Sequence, residues 1–350
     1  MLDIEKLLGK AKESGASDVH ITVGVPPKVR VQGRLKSMEF DKLMPEETEK
    51  LLTSIMTEEQ KNYLDENGEV DFSFAIPALG RFRANVFKQR GSYAAAFRIV
   101  LTEVADEEEL GLPREVTDLS MLKRGLVLVT GPAGSGRTTT LAALIDKINS
   151  YREVHVITLE EPIEYLHQHK KAIVNQREIG IDAESYPKAL RAALRENPDV
   201  IMIGGMRDSE TVRLALTAAE AGHLVLSTLH TVGAGNTIQR LVEMFPEGQH
   251  MQVRLQLANV LEAVVSQQLL PSETGKRVPA FEIMRMSPDI RNLIRDGRIY
   301  QITGAMQEDV KHGMQTMDEA ILELYLRGMI SKETVLANAV DVFSIERKLL

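Results

Sequence analysis

Glycines and hydroxyl residues are concentrated in one loop near the middle of the 350-residue chain. The apolar residues 126–129 come first, and Gly-Pro-Ala-Gly-Ser-Gly-Arg-Thr-Thr-Thr follows as residues 131–140. Gly131, Gly134 and Gly136 permit backbone angles that a Cβ would forbid, so that successive N–H groups can converge on one anion. A helix that starts here adds partial positive charge at its N-terminus. The spacing therefore predicts a strand, a phosphate-binding loop and a helix.

One position of this loop departs from the usual pattern G-x-x-x-x-G-K-[ST]. Gly131, Gly136 and Thr138 match the pattern, but Arg137 stands at the lysine position. Arginine keeps the positive charge, yet it is bulkier, planar and forked, so the exchange is not conservative in a tight loop. A glycine-rich turn that binds no ligand is the alternative interpretation of the loop taken alone.

The elements around the loop alternate between apolar strands and amphipathic helices. Strands are predicted over residues 125–130, 155–160, 199–204 and 223–229, and helices from residue 138, over 185–195 and over 209–221. Buried apolar strands that alternate with helices specify a mostly parallel sheet with helices on its faces. We therefore predict an α/β core at residues 116–270.

The flanking segments have other patterns. In residues 1–100, helices are predicted from Ile4, from Pro45 and after Thr57. Strands are predicted over residues 17–23, 28–35, 69–76, 81–87 and 92–100. The second of these strands bends at Gln32 and Gly33, and a turn covers residues 77–80. The acidic residues 101–115 are interpreted as a linker. Residues 271–350 are predicted to be a C-terminal helical region, in which Thr316 and Glu319 form a capping box.

Composition excludes several classes of protein. The chain has no cysteine, which excludes disulfides and thiolate metal sites, and a net charge of −8, which argues against a global nucleic-acid-binding surface. No apolar run approaches the length of about 18 residues that a membrane helix needs. We therefore expect neither a membrane span nor a secretion signal.

Seven segments, taken in order, resemble one family. They are GASDVHI, RFRANVF, GPAGSGRTTTLAALID, ITLEEPIEYLH, VNQREIG, NPDVIMIGGMRD and AEAGHLVLSTLHT. The chain resembles the secretion-type ATPases, and within them the type IV pilus retraction (PilT-like) ATPases, over essentially its whole length. The resemblance implies a PAS-like N-terminal domain, a RecA-like P-loop core, and binding of ATP and Mg²⁺.

The resemblance also implies an assembly and a place in the cell. Proteins of this family form hexameric rings at the cytoplasmic face of the inner membrane and use ATP to disassemble the pilus, which is the retraction step of twitching motility. For this chain it implies a homohexamer that is cytoplasmic and peripheral at the pilus base, without direct membrane insertion and without nucleic acid. The implied partners are the inner-membrane pilus platform protein and a paralogous pilus ATPase.

Individual residues take roles by the same resemblance. The residues that would cradle the nucleotide phosphates are Gly131, Ala133, Gly134, Ser135, Gly136, Arg137, Thr138 and Thr139. Thr138 and Glu160 would hold Mg²⁺. The residues that would reach the γ-phosphate from the N-terminal domain are Arg81, Arg83 and Arg98, although arginines on a strand face are more often a solvated surface.

The remaining implied roles concern acidic residues and histidines. Glu160, Glu161 and Glu164 would form an acidic box, and His223 and His230 a histidine box. From these, Glu161, Glu164 and His230 are the catalytic candidates, and Asp199 lies in the strand that resembles Walker B. A gap of seven residues along one strand points the two histidines to opposite faces, which argues against a metal site between them.

Three positions depart from the family pattern. Besides Arg137, Gly205 stands where the family carries the glutamate expected to polarise the attacking water, and Asp289 stands where the retraction motif has alanine. Loss of a positioned base costs on the order of 10²–10⁴-fold in rate. Incorrect charge clamping at the γ-phosphate adds a further loss.

Two functions therefore stay open from the sequence. The first is a retraction motor that hydrolyses ATP, with Glu161 or Glu164 positioning the water. The second is a poorly hydrolysing ring subunit that binds nucleotide or a partner ATPase and acts as a regulator or structural component. A RecA-type nucleic-acid motor is disfavoured because the N-terminal segments match secretion ATPases and the charge balance is acidic.

Overall fold

The computed structural model describes residues 3–31, 33–77 and 79–349. The chain divides into two compact units. The first unit contains Met1–Glu103 together with Glu164–Leu166, and the second contains Val104–Ile163 together with His167–Leu350. Each unit has its own hydrophobic core.

The first unit is an α+β domain built on one antiparallel sheet. Its elements are α1 (Ile4–Glu13), β1 (Asp18–Ile21), β2 (Lys28–Val31), β3 (Arg34–Ser37), α2 (Pro45–Thr53), α3 (Glu58–Asn67), β4 (Glu69–Ile76), β5 (Gly80–Gln89) and β6 (Ser92–Ile99). The six strands lie in the order β3-β2-β1-β6-β5-β4. Leu7 of α1, Leu52 of α2 and Phe82 and Phe97 of the sheet are fully buried in its core.

The predicted strand over residues 28–35 is wrong in one respect, because it is a hairpin of two strands. Lys28 of β2 pairs with Ser37 of β3. Gly33 takes a φ of +77°, a left-handed angle at which glycine reverses the chain without a steric penalty. Gln32, the other half of the predicted bend, lies outside the described residues.

Strands β4, β5 and β6 form the predicted antiparallel group. Arg83 of β5 lies directly opposite Arg98 of β6. Since alternate residues of a strand share a face, Arg81 lies on the same face as Arg83. The predicted turn over residues 77–80 includes residue 78, which lies outside the described residues.

The second unit alternates strands and helices and ends in helices. Its elements are α4 (Arg114–Thr117), β7 (Gly125–Thr130), α5 (Arg137–Tyr151), β8 (His155–Glu160), β9 (Ile173–Glu178), α6 (Tyr186–Ala193), β10 (Val200–Ile203), α7 (Ser209–Glu220), β11 (Leu224–Leu229), α8 (Ala234–Glu243), α9 (His250–Val260), β12 (Leu261–Pro271), β13 (Arg277–Arg285), α10 (Pro288–Arg295), α11 (Ile302–Glu308), α12 (Met317–Leu326), α13 (Lys332–Asn338) and α14 (Val342–Lys348). Short 3₁₀ turns cover Asp118–Met121, Glu247–Gln249, Ile299–Gln301 and Val310–His312.

The sheet of the second unit has seven strands in the order β13-β12-β7-β11-β10-β8-β9. All neighbours are parallel except β13, which pairs antiparallel with β12. Leu126 and Leu128 of β7 pack into a core with α6 to α11, whereas Val127 and Val129 pack into a second core with α5. Burial of both faces explains why these strands are apolar throughout, and the α/β fold predicted from the sequence is confirmed.

The boundary predicted at residue 271 falls inside a β-hairpin of the core sheet. β12 ends at Pro271, and β13 adds an edge strand to the core sheet before the first C-terminal helix, α10. Val278 and Ala280 of β13 alternate with more exposed neighbours, which is the period of a strand. Together with Leu270 they form the surface on which α12, α13 and α14 pack.

Among the described residues, no helix combines the length and the apolar character that crossing a bilayer requires.

Candidate active site: a phosphate loop and the edge of the parallel sheet

The loop between β7 and α5 holds its three glycines at left-handed angles. The φ angles are +142° at Gly131, +76° at Gly134 and +90° at Gly136. A Cβ on Gly131 would lie 2.2 Å from the carbonyl oxygen of Gln267, and a Cβ on Gly136 would lie 2.9 Å from Nε2 of the same residue. A larger residue is therefore excluded at 131 by both conformation and contact with the backbone, and at 136 chiefly by the left-handed conformation.

Few backbone groups of the loop are paired within it. The N–H of Ser135 donates to the carbonyl of Pro132 at 3.2 Å, and the N–H of Thr140 donates to the carbonyl of Gly136 at 3.0 Å. The N–H of Thr138 precedes this first helical bond, so helix geometry gives it no acceptor within α5. Such groups at a helix N-terminus, behind a turn of left-handed glycines, form an anion site.

Two buried hydroxyl groups support a phosphate ligand in the loop. Ser135 is 2% exposed and Thr130 is fully buried. Neither side-chain oxygen has a hydrogen-bond partner within the part of the chain that the structure describes. Burial of a hydroxyl group without a hydrogen-bond partner costs free energy, unless a ligand or a water molecule supplies that partner. The residues present therefore fit a phosphate group.

Arg137, the departure from the usual lysine, points its guanidinium toward the end of β11. Its Nη1 donates to the carbonyl of Leu229 at 2.8 Å, and its Nη2 lies 3.0 Å from Nδ1 of His230. Since arginine only donates, Nδ1 of His230 is the acceptor and the imidazole is neutral. Removal of the ring from water lowers the pKa of His230, and the charges of Arg137 and Arg207 lower it further.

At the end of β8, a buried carboxylate, Glu160, is followed by an exposed one, Glu161. Glu160 is 5% exposed, and its Oε1 accepts hydrogen bonds from Thr158 Oγ1 at 2.6 Å and Gln176 Nε2 at 3.0 Å. Glu161 is exposed, and its Oε2 lies 3.0 Å from Nη1 of Arg207. Loss of hydration raises the pKa of the neighbouring Tyr186, and the charge of Glu161 raises it further.

Arg207 also passes close to Gly205. A Cβ on Gly205 would meet only Nε of Arg207, at 3.9 Å, so there is space for a side chain at this position. At Gly204, in contrast, a Cβ would lie 3.1 Å from the Tyr186 hydroxyl and 3.3 Å from the carbonyl of Leu159. Position 205, where the resemblance implies a glutamate, thus has space for a side chain, whereas position 204 does not.

Strand order brings several predicted site residues together at the edge of the sheet that the carboxyl ends of its parallel strands form. The carboxyl ends of β7, β11, β10 and β8 lie in parallel at this edge. The phosphate loop follows β7, His230 follows β11, Gly205 follows β10, and Glu160 ends β8. This is the edge at which open α/β sheets bind their ligands.

Two other predicted residues lie at the opposite edge of the sheet. Asp199 precedes β10, and its Oδ2 accepts the N–H of His155 at 2.8 Å. His223 precedes β11, and its Nδ1 lies 2.8 Å from the carbonyl oxygen of Pro198. Both residues are therefore separated from the phosphate loop by the length of a strand, and the structure does not bring His223 and His230 together.

Four predicted site residues belong to the first unit. Glu164 is exposed, and its carbonyl accepts the N–H of Leu101 at 3.2 Å. Arg98 Nε lies 3.1 Å from Asp18 Oδ1, and Arg83 Nη2 lies 3.9 Å from Asp71 Oδ1. The backbone carbonyl of Arg81 accepts the N–H of Val100 at 3.1 Å. Carboxylates thus lie beside two of the three arginines.

Sequence reasoning missed a buried residue, Gln267, that packs against the phosphate loop. Gln267 of β12 is 4% exposed, and its Oε1 accepts a hydrogen bond from Thr140 Oγ1 at 2.7 Å. The available signal was the polar pair Gln267 and Gln268 within the apolar run of β12. A buried amide needs partners, and Thr140 in the first turn of α5 supplies one of them.

A family model for type II/IV secretion system proteins matches residues 2–333. The chain belongs to the type II/IV secretion system protein family. The resemblance to PilT-like ATPases predicted from the seven segments is confirmed, and members of this secretion family that carry pilus names are similar along nearly the whole chain.

Three relatives are informative. The chain is 45% identical over 332 residues to the type IV pilus retraction ATPase PilT of Pseudomonas aeruginosa. The aligned residues cover 95% of this chain and 96% of that protein. It is 41% identical over 339 residues to the type IV pilus ATPase PilU of the same organism, covering 97% and 89%. A crystal structure of the pilus retraction motor PilT with bound ADP is 49% identical, covers 99% of this chain and 100% of that one, and superposes with a TM-score of 0.92.

Proposed function

We propose that this chain is an ATP-binding subunit of a type IV pilus retraction machine that hydrolyses ATP slowly. The phosphate loop carries the proposal, because Gly131 and Gly136 take left-handed angles that suit glycine and Ser135 presents a buried hydroxyl without a partner. The similarity to PilT and PilU relatives over more than nine-tenths of this chain supports the connection with pili.

Nucleotide binding would use backbone groups in the loop and hydroxyl groups beside it. The N–H groups from Gly134 to Thr139 would surround the β- and γ-phosphates, with Ala133 at the rim. The Thr138 hydroxyl would hold Mg²⁺, which when bound neutralises charge on the phosphate oxygens. Glu160 ends β8, three strands from β7, and its Oε1 already accepts two hydrogen bonds, so it would act on the ion through water.

Slow hydrolysis follows from how the candidate bases are engaged. Gly205 has no side chain to polarise a water molecule. The Glu161 carboxylate is paired with Arg207, and Nδ1 of His230 is occupied by Arg137. In this proposal Glu164 and the arginines Arg81, Arg83 and Arg98, which belong to the first unit, would couple nucleotide state to domain movement.

A second candidate function is a non-hydrolysing regulatory or structural ring subunit that partners an intact pilus or secretion ATPase. The pairing of Arg207 with Glu161 beside the open position 205 favours it, because both groups near the expected water site then neutralise each other. In either function the chain would form a homohexamer, cytoplasmic and peripheral at the inner membrane, in contact with the pilus platform protein. Direct insertion into the membrane and binding to nucleic acid are not part of either proposal.

Nucleotide binding by the purified chain tests the proposal. We expect ATP with Mg²⁺ and ADP to raise the midpoint of thermal unfolding, because a ligand that binds only the folded state stabilises it by RT ln(1 + [L]/Kd). AMP, which lacks the β- and γ-phosphates, is the matched control and should have little effect. Equal midpoints with and without ATP at millimolar concentration would remove the proposal.

Phosphate release by the same preparation then separates the two candidate functions. A slow turnover that depends on Mg²⁺ supports the motor, whereas binding without detectable phosphate release supports the regulatory subunit. Turnover at or above about one per second, within the ordinary range for enzymes, would contradict slow hydrolysis.

A further inference from the structure

A second arginine, Arg277, reaches the phosphate loop from outside it. Arg277 is the first residue of β13 and lies opposite Pro271 in the β12–β13 hairpin. Its Nη1 donates to the carbonyl oxygen of Gly134 at 3.4 Å. Nothing lies within 4 Å of a Cβ built on Gly134, so this part of the loop is uncovered apart from the arginine.

The hairpin that carries Arg277 also packs against the glycines of the phosphate loop. Gln267 of β12 lies against Gly131 and Gly136 and accepts the hydroxyl of Thr140. The side chain of Leu269 would lie 3.7 Å from a Cβ on Gly136. Because the register of β12 and β13 is continuous from residue 263 to residue 285, these contacts fix where Arg277 enters the site.

Arg277 is available for an anion, whereas Arg137 is engaged. Arg137 donates to Leu229 and His230, both at the end of β11. Arg277 is exposed, and across residues 3–31, 33–77 and 79–349 no carboxylate forms a salt bridge with it. Its bond to Gly134 is long and uses one of five N–H donors. A forked guanidinium with free donors matches the geometry of phosphate oxygens.

We propose that Arg277 binds the phosphates of the nucleotide and supplies the cation that the engaged Arg137 does not bring into the loop. This inference rests on the proposed nucleotide-binding function. The ligand class is a nucleoside di- or triphosphate, and Arg277 turns from the Gly134 carbonyl to a phosphate oxygen when it binds. Arg277 is then a substrate-binding residue on β13, the outermost strand of the sheet, which lies on the opposite side of β7 from β11.

Affinity for ADP, ATP and adenosine tests this role in three variants of the full chain. Arg277→Ala is expected to weaken ADP and ATP binding on the order of 10-fold, as for loss of one charge-assisted contact. Arg277→Lys should recover part of the loss because the charge remains. Lys276→Ala, at the exposed neighbouring residue of the same hairpin, should bind within about twofold of the unchanged protein, a difference well below one tenfold step.

Two further readouts distinguish charge from a structural effect. Adenosine carries no phosphate, so its affinity should be the same in Arg277→Ala and the unchanged protein. The difference in ADP affinity should shrink as salt rises from about 0.1 M to about 1 M, because an exposed charge is screened. An equal loss for adenosine and ADP, or a difference that does not respond to salt, would contradict phosphate binding by Arg277.

The outcomes also separate this inference from the function on which it rests. If the unchanged protein binds ATP and Arg277→Ala binds it equally well, Arg277 has no role and the proposed function stands. If the unchanged protein binds neither ATP nor ADP, both fail. Unfolding of Arg277→Ala without nucleotide should occur at the midpoint of the unchanged protein, since the side chain is exposed and makes one long hydrogen bond.

Discussion

The guanidinium of Arg137 donates to Nδ1 of His230 across 3.0 Å, which joins the phosphate loop to the end of β11. Removal of the ring from water is the main cause of the lowered pKa of His230, and the charge of Arg137 is the next. Arg137→Ala should therefore raise the pKa of His230, because the neighbouring cation and its hydrogen bond are lost. Titration of the imidazole followed by NMR measures the change, with His230→Asn to assign the signal.

The charge-conserving variant is the control for this titration. Arg137→Lys keeps a cation in the loop, so the pKa of His230 should stay below its ordinary value. Identical titration curves for Arg137→Ala and the unchanged protein would mean that the two side chains are not in contact in solution.

The open space at Gly205 predicts that a glutamate fits there. Gly205→Glu should fold normally, and together with Arg137→Lys it should raise phosphate release by a factor on the order of 10²–10⁴, as expected when a general base is restored. Either single variant should gain less, since each leaves one defect. The measurement is the rate of phosphate release with saturating ATP and Mg²⁺.

Gly205→Gln in the Arg137→Lys background is the matched control, because it has the same size and no basic carboxylate. It should show no comparable gain. If glutamine and glutamate raise the rate equally, the effect comes from displacing Arg207 from Glu161 and not from a base.

Several helices and strands could be predicted because each follows a local rule. The uninterrupted apolar run of β7, which is buried at every position, and the capping of α3 by Thr57 and of α12 by Thr316 are properties of a few neighbouring residues. β12 was harder to predict, since polar residues such as Gln267 interrupt its apolar run, and their partners lie more than a hundred residues away. β12 is buried at most positions because it lies between β7 and β13 in the sheet.

The contacts between residues of the candidate site could not be predicted for the same reason. Arg137 and His230 are 93 residues apart, and they meet because β11 lies beside β7, an order that no local pattern encodes. The loop itself was predictable, because the need for glycine at 131 and 136 is expressed in the residues themselves. The direction of the Arg137 side chain was not, since it depends on the carbonyl of Leu229.

A buried histidine predicts how stability depends on pH. The His167 side chain is 3% exposed, and its Nδ1 lies 4.0 Å from Oδ1 of Asp146. Burial lowers the pKa of His167 to about 4; the charge of Asp146 raises this pKa by a smaller amount, and the charge of Lys170 lowers it. The unfolded chain binds a proton near pH 6.5, whereas the folded chain does so only near pH 4. Stability should therefore fall as pH drops through this window, by up to about 1.4 kcal/mol per unit.

Urea unfolding of His167→Asn between pH 7 and pH 4 measures this contribution. The variant should be less stable at pH 7, since it loses buried contacts, but its stability should fall less steeply with acid. His312→Asn, which removes an exposed imidazole, is the control and should keep the steep slope. Parallel curves for His167→Asn and the unchanged protein would show that His167 does not carry the pH dependence.

The Gln267–Thr140 hydrogen bond predicts that the floor of the phosphate loop contributes to both stability and nucleotide binding. Gln267→Leu leaves the buried Thr140 hydroxyl without its acceptor, which should cost about 1–3 kcal/mol in the free energy of unfolding. Thr140→Val combined with Gln267→Leu removes both partners, so the double variant should be more stable than the sum of the single losses predicts. Urea unfolding with and without ADP gives both quantities, and strictly additive losses would mean that the two side chains do not interact.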